Sequence, residues 1–161
     1  MSEPIYGVRA KDYLRKAIRR KYLKKNPKYT GSVKIYWKNI RGTRDGDITW
    51  DKNEGEGIRY KFLFKNGLKH GWTFSFFPNG SLKNLWYYKN GKQNGWRFEL
   101  HESGKIFLIK YMKNDRMHGF SGEWDTQGKI KNFGSVFDKQ PSGVWFDWYN
   151  VTEGLKISYY E

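Results

Sequence analysis

The sequence predicts a mainly β protein: an elongated, single-layer antiparallel β-meander built from hairpins of about 24 residues, with one basic α-helix at the N-terminus. Three observations predict this fold. A glycine recurs every 24 residues, short segments alternate between aromatic and polar residues, and aromatic residues make up 19% of the chain. A fixed period of this length is typical of repeat architectures, in which each unit packs mainly against its neighbours.

Three columns of residues keep the 24-residue period. The first contains Gly71, Gly95, Gly119 and Gly143, the second contains Gly80, Gly104 and Gly128, and the third contains Asn66, Asn90, Asn114 and Asp138. Glycine supplies the positive φ of hairpin turns, and Asn and Asp tolerate that conformation. The columns therefore predict turns that separate strands, with the second strand of three units at Leu82–Lys89, Ile106–Lys113 and Ile130–Phe137.

The first strand of each unit alternates apolar and polar residues, which puts its rings on one face of the sheet. We interpret the following positions as a protein-docking aromatic face: Trp72, Phe74, Trp96, Phe98, Phe120, Trp124, Phe146 and Trp148. Two alternatives are that the rings of neighbouring units pack on one another, or that they stack on nucleic-acid bases. Because one helix cannot cover both faces of a long sheet, we expect exposed apolar surface, which usually marks a partner site.

The N-terminal part of the chain is strongly basic. The net charge is +15, and residues 1–28 hold ten basic side chains against two acidic ones. Apolar residues in 10–25 recur at helical steps, and Asn26-Pro27 ends the pattern. We predict a polyanion-binding site formed by Arg15, Lys16, Arg19, Arg20, Lys24 and Lys25. In the alternative role, the helix covers the open end of the first strands, and both roles leave the basic side exposed.

We divide the chain into three parts. Residues 1–28 form the basic amphipathic helix, residues 29–59 form degenerate β units, and residues 60–161 form the repeat array. In the middle part, 33–37 and 47–50 are short strand candidates, but the glycine register fails there. Terminal repeats are often atypical in this way.

Three motifs carry a resemblance to a known family. They are Phe64-Lys65-Asn66-Gly67-Leu68-Lys69-His70-Gly71-Trp72, Phe77-Pro78-Asn79-Gly80, and Tyr88-Lys89-Asn90-Gly91-Lys92-Gln93-Asn94-Gly95-Trp96. Over residues 55–150 the chain resembles the MORN (membrane occupation and recognition nexus) repeat family, in particular its variant, antitoxin-like class. The pattern departs at Asp115 and Lys139, where the turn glycine is replaced. The resemblance implies a β-hairpin array that serves as a scaffold, a docking surface or a lipid-associating module, without catalytic chemistry.

The histidines do not predict a metal or catalytic site. His70 and His118 fall in one turn column, which also accepts Asn94 and Ser142. A column that takes His, Asn or Ser is a polar turn position rather than a set of ligands or general bases. The chain has no cysteine, which excludes disulfides and Cys-ligated zinc. We therefore expect no metal and no cofactor.

A column of acidic residues, Glu99, Glu123 and Asp147, is the nearest approach to paired acids. Equivalent strands lie two apart in a meander, so neighbouring carboxylates would be about 9–10 Å apart. That spacing is at or beyond the limit for a catalytic pair of carboxyl groups. We interpret them as ion-pair partners of Lys83, Lys105, Lys110 or Lys129 on the strands between. We expect neither enzyme activity nor a small-molecule substrate.

These features predict a non-enzymatic interaction or scaffold protein, a component of a larger assembly or particle, whose basic N-terminal segment contacts an acidic partner. A protein partner is the first expectation. Nucleic-acid binding or attachment to an anionic membrane through residues 1–28 are alternatives, and the resemblance adds toxin neutralisation. No apolar run approaches the roughly 18 residues of a membrane helix. We therefore expect an intracellular protein, soluble or peripheral, in the cytoplasm of the producing or host cell or incorporated in a particle.

Overall fold

A computed structural model of the chain describes residues 18–19, 23–38, 48–49, 55–148 and 154–161. These residues contain twelve strands: β1 Gly31–Lys38, β2 Ile48–Thr49, β3 Gly55–Lys65, β4 Leu68–Lys69, β5 Gly71–Phe76, β6 Leu82–Lys89, β7 Lys92–Leu100, β8 Ile106–Lys113, β9 Arg116–Trp124, β10 Ile130–Phe137, β11 Gln140–Trp148 and β12 Leu155–Tyr160. They form one antiparallel sheet in the order β12-β11-β10-β9-β8-β7-β6-β5-β3-β1-β2, and β4 pairs with β3. The predicted mainly β, single-sheet meander is confirmed.

The strands follow the sequence columns closely. The predicted second strands coincide with β6, β8 and β10, and β1 contains the candidate at 33–37. The candidate at 47–50 corresponds to β2, although its first and last residues lie outside the described ranges. From β5 to β11 each strand pairs with the next one along the chain, because each connection is a short turn, and β11 pairs in the same way with β12.

Two-residue turns connect the units at one end of the strands. Asn66 and Gly67 have φ values of 50° and 75°, and the equivalent pairs at 90–91, 114–115 and 138–139 are also positive at both positions. Positive φ at both central residues defines a type I′ turn, whose twist matches that of the flanking strands. Non-glycine residues keep this conformation even where the glycine is replaced, at Asp115 and Lys139.

Neighbouring type I′ turns are linked by hydrogen bonds. The backbone N–H of Gly91 donates to the carbonyl of Lys69 at 2.8 Å, and equivalent bonds join Asp115 to Gln93 and Lys139 to Met117. In the first turn, Gly67 donates to Tyr29 at 2.8 Å. We call this series of bonds the turn ladder. We call the row of these turns, at one end of the strands, the type I′ edge. Because each rung joins one unit to the preceding one, this row is continuous along the sheet.

Three-residue loops connect the strands along the opposite edge. In the first of them, the N–H of Phe77 donates to the carbonyl of Ser81, and the N–H of Gly80 donates to Phe77, both at 2.9 Å. The loops at 102–104 and 126–128 repeat both bonds. Gly80 and its equivalents have φ of 84° to 87°, which is the left-handed position of a type I turn with a glycine bulge.

The remaining glycine column forms a bulge inside the longer strands. Gly95 has a φ of 119°, and next to it the partner of β6 shifts from Arg97 to Gln93 between Trp86 and Tyr88. The strands β7, β9 and β11 therefore begin four residues before the alternating rings, which is earlier than the sequence pattern suggested. A bulge of this kind increases the local twist of a sheet.

Lys139 provides a stability test of the turns. Its φ of 76° is unfavourable for an L side chain, so Lys139→Gly is expected to raise the free energy of unfolding by about 1 kcal/mol. Asp115→Gly is the matched control, because Asp115 Oδ1 accepts the N–H of Gln93 at 2.7 Å and that bond is lost with the side chain. Urea unfolding should show a higher free energy of unfolding for Lys139→Gly and little change for Asp115→Gly. Equal gains would contradict this account.

The deepest core lies at the N-terminal end of the sheet. It contains Ile18, Val33, Ile35, Phe62 and Phe64, with Leu23, Tyr29 and Tyr60 packed against it. Besides the bond from Gly67 to Tyr29, the N–H of Asn66 donates to Thr30 Oγ1 at 3.0 Å. The N-terminal segment thus takes the position of a preceding unit and covers the face of β1 and β3 that carries these core residues. Of the predicted helix only residues 18–19 and 23–25 are described, so the helix stays a prediction.

Candidate interaction surfaces

Strand pairing puts all eight predicted docking residues on one face of the sheet, which we call the ring face. Leu85 faces Phe74 on one side and Phe98 on the other, and Ile109 continues the row from Phe98 to Gly122. Phe133 extends it from Gly122 to Phe146. Since side chains alternate along each strand, the remaining predicted residues lie on the same face: Trp72, Trp96, Phe120, Trp124 and Trp148.

Most rings of this face pack on one another. Trp96 makes an edge contact with Tyr111 at 5.2 Å and a further one with Phe120 at 6.4 Å, and Phe133 stacks on Phe146 at 4.6 Å. Of the eight predicted residues, Trp96 and Trp148 are exposed and the other six are half-buried. Mutual packing therefore accounts for much of the aromatic content, as one of the alternatives held.

The most exposed apolar cluster of the ring face lies on β11 and β12. We call it the apolar end: Val144, Trp148, Leu155, Ile157 and Tyr159. Strand pairing brings these residues together, with Val144 opposite Tyr159 and Trp148 opposite Leu155. Ile157 is 60% exposed and Tyr159 is 73% exposed. In the part of the chain that the structure describes, β12 pairs only with β11, so its outer backbone edge accompanies the apolar side chains.

Four residues of the apolar end are absent from the predicted docking residues: Val144, Leu155, Ile157 and Tyr159. Leu155, Ile157 and Tyr159 follow the point where the 24-residue register slips, because Gly154 comes 26 residues after Gly128. The available signal was the alternation of apolar and polar residues from 155 to 159, which is the pattern of a half-buried strand.

The opposite face, which we call the polar face, carries small and charged side chains. Thr73 and Ser75 are buried, and Asn84 Nδ2 donates to Ser75 Oγ at 2.7 Å. The acidic column also lies here, as predicted from alternation. Trp145 covers Gly134, where an added Cβ would lie 2.5 Å from the indole ring, and Trp145 Nε1 donates to the Ser135 carbonyl at 2.7 Å.

Two carboxylates of the acidic column, Glu99 and Glu123, form ion pairs, but not with the predicted lysines. Arg97 Nε donates to Glu99 Oε1 at 2.8 Å, and Lys131 Nζ donates to Glu123 Oε1 at 2.9 Å. Arg97 lies two residues from Glu99 on the same strand, so the two side chains share a face and meet without a cross-strand partner. The hydrogen bond and charge of Glu123 raise the pKa of Lys131. Of the predicted partners, Lys105 instead donates to the Gln127 carbonyl.

A cleft of about 220 Å³ opens on the polar face between β8 and β11. Its lining includes Lys110, Glu123, Asn132 and Trp145. Elsewhere on this face, Gln93 Nε2 donates to the Tyr88 hydroxyl at 3.1 Å, and burial raises the pKa of Tyr88 despite that bond. The cleft offers one carboxylate, and Lys131 already binds it.

The histidines lie apart from one another. His101 Nε2 is 3.3 Å from the Trp124 carbonyl, the His118 ring is 5.0 Å from that of Phe137, and His70 Nδ1 is buried. Within the described ranges, no three His, Asp or Glu side chains converge on a position that could hold a metal ion.

The predicted polyanion site is described in part. Arg19, Lys24 and Lys25 are exposed, whereas Arg15, Lys16 and Arg20 lie outside the described residues. Ile18, next to Arg19, is buried in the core, so the segment presents cations outward while its apolar side covers the first strands. Within the residues that the structure describes, no helix is long and apolar enough to cross a membrane.

The fold and these surfaces define an open, single-sheet β-meander with a ring face and a polar face. Neither a known protein family nor a curated protein matches the chain. Among solved structures, the crystal structure of the GtfA/B complex bound to UDP and GlcNAc contains a similar chain, with 10% sequence identity and a TM-score of 0.30. The match covers 82% of this chain and 27% of that one. A likeness this weak supports no statement about function.

Proposed function

We propose that this chain is a non-enzymatic interaction protein, a scaffold of MORN-like hairpin units that docks a protein partner within a larger assembly. The observation that supports this proposal is the apolar end. Five exposed apolar side chains lie together on two adjacent strands, at a position where the backbone edge of β12 also faces outward in the described part of the chain. Exposed clusters of this kind usually mark binding surfaces.

The partner that fits this surface is a protein with an apolar strand of its own. A strand added beside β12 would form main-chain hydrogen bonds with its edge, and alternate side chains would pack against Ile157 and Tyr159. Complete burial of an aliphatic or aromatic side chain contributes about 1.5–3 kcal/mol, which adds to the main-chain hydrogen bonds of the added strand.

The basic N-terminal segment has the second role in this proposal. With residues 1–28 as an amphipathic helix, its apolar side would cover the first strands and its cations would contact an acidic partner. The exposure of Arg19, Lys24 and Lys25, next to the buried Ile18, supports that arrangement. Attachment to an anionic membrane by the same cations is the alternative, and vesicle sedimentation tests it.

The double variant Ile157→Ser/Tyr159→Ser tests the proposed function. Both side chains are mostly exposed, so the fold should be kept while the docking surface loses its two most exposed members. The protein partner is captured from native lysate after nuclease treatment, identified, purified and titrated by calorimetry. We expect the double variant to bind it at least about 30-fold more weakly, which is about 2 kcal/mol.

Leu68→Ser is the matched control, because Leu68 is 49% exposed, as is Trp148, but lies on the short strand β4, far from β12 in the sheet. It should bind the partner as the wild-type chain does. Equal binding by the double variant, or loss of capture after nuclease treatment alone, would contradict the proposal.

A further inference from the structure

The positive charge of the sheet is concentrated on the type I′ edge. The four type I′ turns, taken with one flanking residue on each side, contain six cations and two carboxylates: Lys65, Lys89, Lys92, Lys113, Arg116 and Lys139 against Asp115 and Asp138. All six cations are exposed. The three loops of the opposite edge, with their flanking residues, contain two cations and two carboxylates. The 24-residue period thus repeats a charge as well as a turn.

The two carboxylates of this edge are already engaged. Asp115 Oδ1 accepts the Gln93 N–H, and both oxygens of Asp138 accept bonds from Arg116 Nη1, at 2.7 and 2.9 Å. Arg116 is therefore neutralised by Asp138. The five lysines form no ion pair with another described residue and are left to attract an external anion.

The N-terminal segment extends the line of charge. Because Gly67 donates to Tyr29 and Asn66 to Thr30, the segment is fixed against the first type I′ turn. Lys24, Lys25 and Lys28 of this segment are exposed. We call the combined set the cationic ridge: Lys24, Lys25, Lys28, Lys65, Lys89, Lys92, Lys113 and Lys139. The turn ladder makes the ridge continuous.

The spacing of the ridge suits a linear polyanion. Neighbouring type I′ turns are two strands apart, or about 9–10 Å, so the five lysines of the four turns supply one charge per about 6–7 Å. A stacked nucleic-acid strand carries one phosphate per about 3.4 Å, so about one lysine is present for every two phosphates. An extended strand could therefore follow the ridge over several units.

A row of rings runs beside the ridge on the ring face. It crosses five neighbouring strands, β5 to β9, and consists of Trp72, Tyr87, Trp96, Tyr111 and Phe120. Trp72 contacts Tyr87 edge to face at 5.2 Å, and Trp96 contacts Tyr111 in the same way. Tyr87 is three residues from Asn90, so the row lies about 10 Å from the turns. Trp96 is exposed at the centre of the row.

We propose that the cationic ridge and this ring row together bind a single-stranded polynucleotide, with phosphates at the lysines and bases against the rings. Single-strand binders combine a positive track for the backbone with aromatic side chains on which bases stack. A duplex does not offer its base faces, and a lipid surface would contact the cations without using the rings. The ridge shares Lys24 and Lys25 with the N-terminal role proposed above, but it is separate from the apolar end, so this proposal and the docking of a protein at the apolar end fail independently.

Fluorescence anisotropy with a fluorescein-labelled oligothymidylate of about 20 nucleotides tests the proposal, with the full chain titrated between about 0.05 and 0.5 M NaCl. The ridge variant is Lys89→Gln/Lys92→Gln/Lys113→Gln. Its matched control is Lys83→Gln/Lys105→Gln/Lys129→Gln, which removes the same charge from exposed lysines on or beside the opposite edge. The third variant is Trp96→Ala.

We expect the ridge variant to lower the slope of log affinity against log salt by about 2, since each phosphate contact to a single strand contributes about 0.7. The control should keep nearly the wild-type slope. Trp96→Ala should bind about tenfold more weakly at unchanged slope, because stacking does not release ions. A duplex of the same length and phosphatidylserine vesicles should bind more weakly than the single strand.

Equal losses in the two triple variants would show attraction by net charge and overturn the ridge. Unchanged binding of Trp96→Ala, or a duplex or vesicle bound as tightly as the oligothymidylate, would overturn the assignment of a single strand. Binding by the Ile157→Ser/Tyr159→Ser variant should equal that of the wild-type chain, which separates this site from the protein-docking surface.

Discussion

Gly67→Ala is expected to lower the free energy of unfolding by about 3 kcal/mol. Gly67 has a φ of 75°, and an added Cβ would lie 1.9 Å from the Pro27 carbonyl oxygen. Backbone cannot yield to that contact as a flexible side chain can, so residues 27–30 must move away from the turn. The cost combines the strain of a left-handed alanine, about 1–2 kcal/mol, with the lost hydrogen bonds to Tyr29 and Thr30.

Gly91→Ala is the control for Gly67→Ala. Gly91 occupies the same turn position with a φ of 81°, but its added Cβ would meet only the Leu68 side chain, at 3.4 Å. We expect a loss of about 1 kcal/mol from backbone strain alone. Urea unfolding measures both losses, and trypsin should cleave after Lys24, Lys25 and Lys28 faster in Gly67→Ala. Equal losses, with equal cleavage rates, would show that the segment is not fixed to this turn.

Phe62→Ala is expected to lower the free energy of unfolding by about 3–5 kcal/mol. Among the described residues, this is the largest loss that we expect from truncating one side chain. Phe62 is 2% exposed and packs in the core with Ile18, Ile35 and Phe64. Elsewhere the described residues form only one layer, so neighbouring side chains can relax into a gap more easily than they can beneath the N-terminal segment. For a chain of this length, the melting temperature should fall by about 10 °C.

Phe137→Ala provides the comparison for Phe62→Ala. Phe137 carries the same side chain but is 64% exposed at the end of β10, where its ring contacts that of His118. We expect a loss of about 0.5 kcal/mol. Calorimetry and urea unfolding measure both variants. A Phe62→Ala loss below about 1 kcal/mol would place the stabilising core elsewhere in the molecule.

The sequence was sufficient to predict β6, β8 and β10, together with the alternating parts of β5, β7, β9 and β11, because each turn has its own chemical requirement. Asn66 and its equivalents tolerate the left-handed conformation, and Gly80 and its equivalents adopt it without strain. With both turn types at a fixed period, the strands between them have little freedom in length or register. The ring face followed from the same register, because alternation fixes which side chains share a face.

Other features depend on contacts that have no period. The pairing of Tyr29 with Gly67 joins a segment outside the repeat to a turn inside it, and nothing local in either sequence encodes that bond. The partner of Glu99 depends on the rotamer of Arg97, a choice that strand alternation leaves open. The apolar end follows a connection that breaks the 24-residue spacing, so a periodic argument stops before reaching it.

The turn ladder also fixes how the length of such a sheet can change. Each rung inside the array joins residues 22 apart, at 69 and 91, 93 and 115, and 117 and 139. Removing or duplicating one whole 24-residue unit would leave every donor opposite an acceptor. A change of half a unit, which is one strand, would put a three-residue loop where a type I′ turn is needed. Every strand after the change would then run in the opposite direction. The sheet can therefore lengthen or shorten only in steps of two strands, which is about 9–10 Å per step.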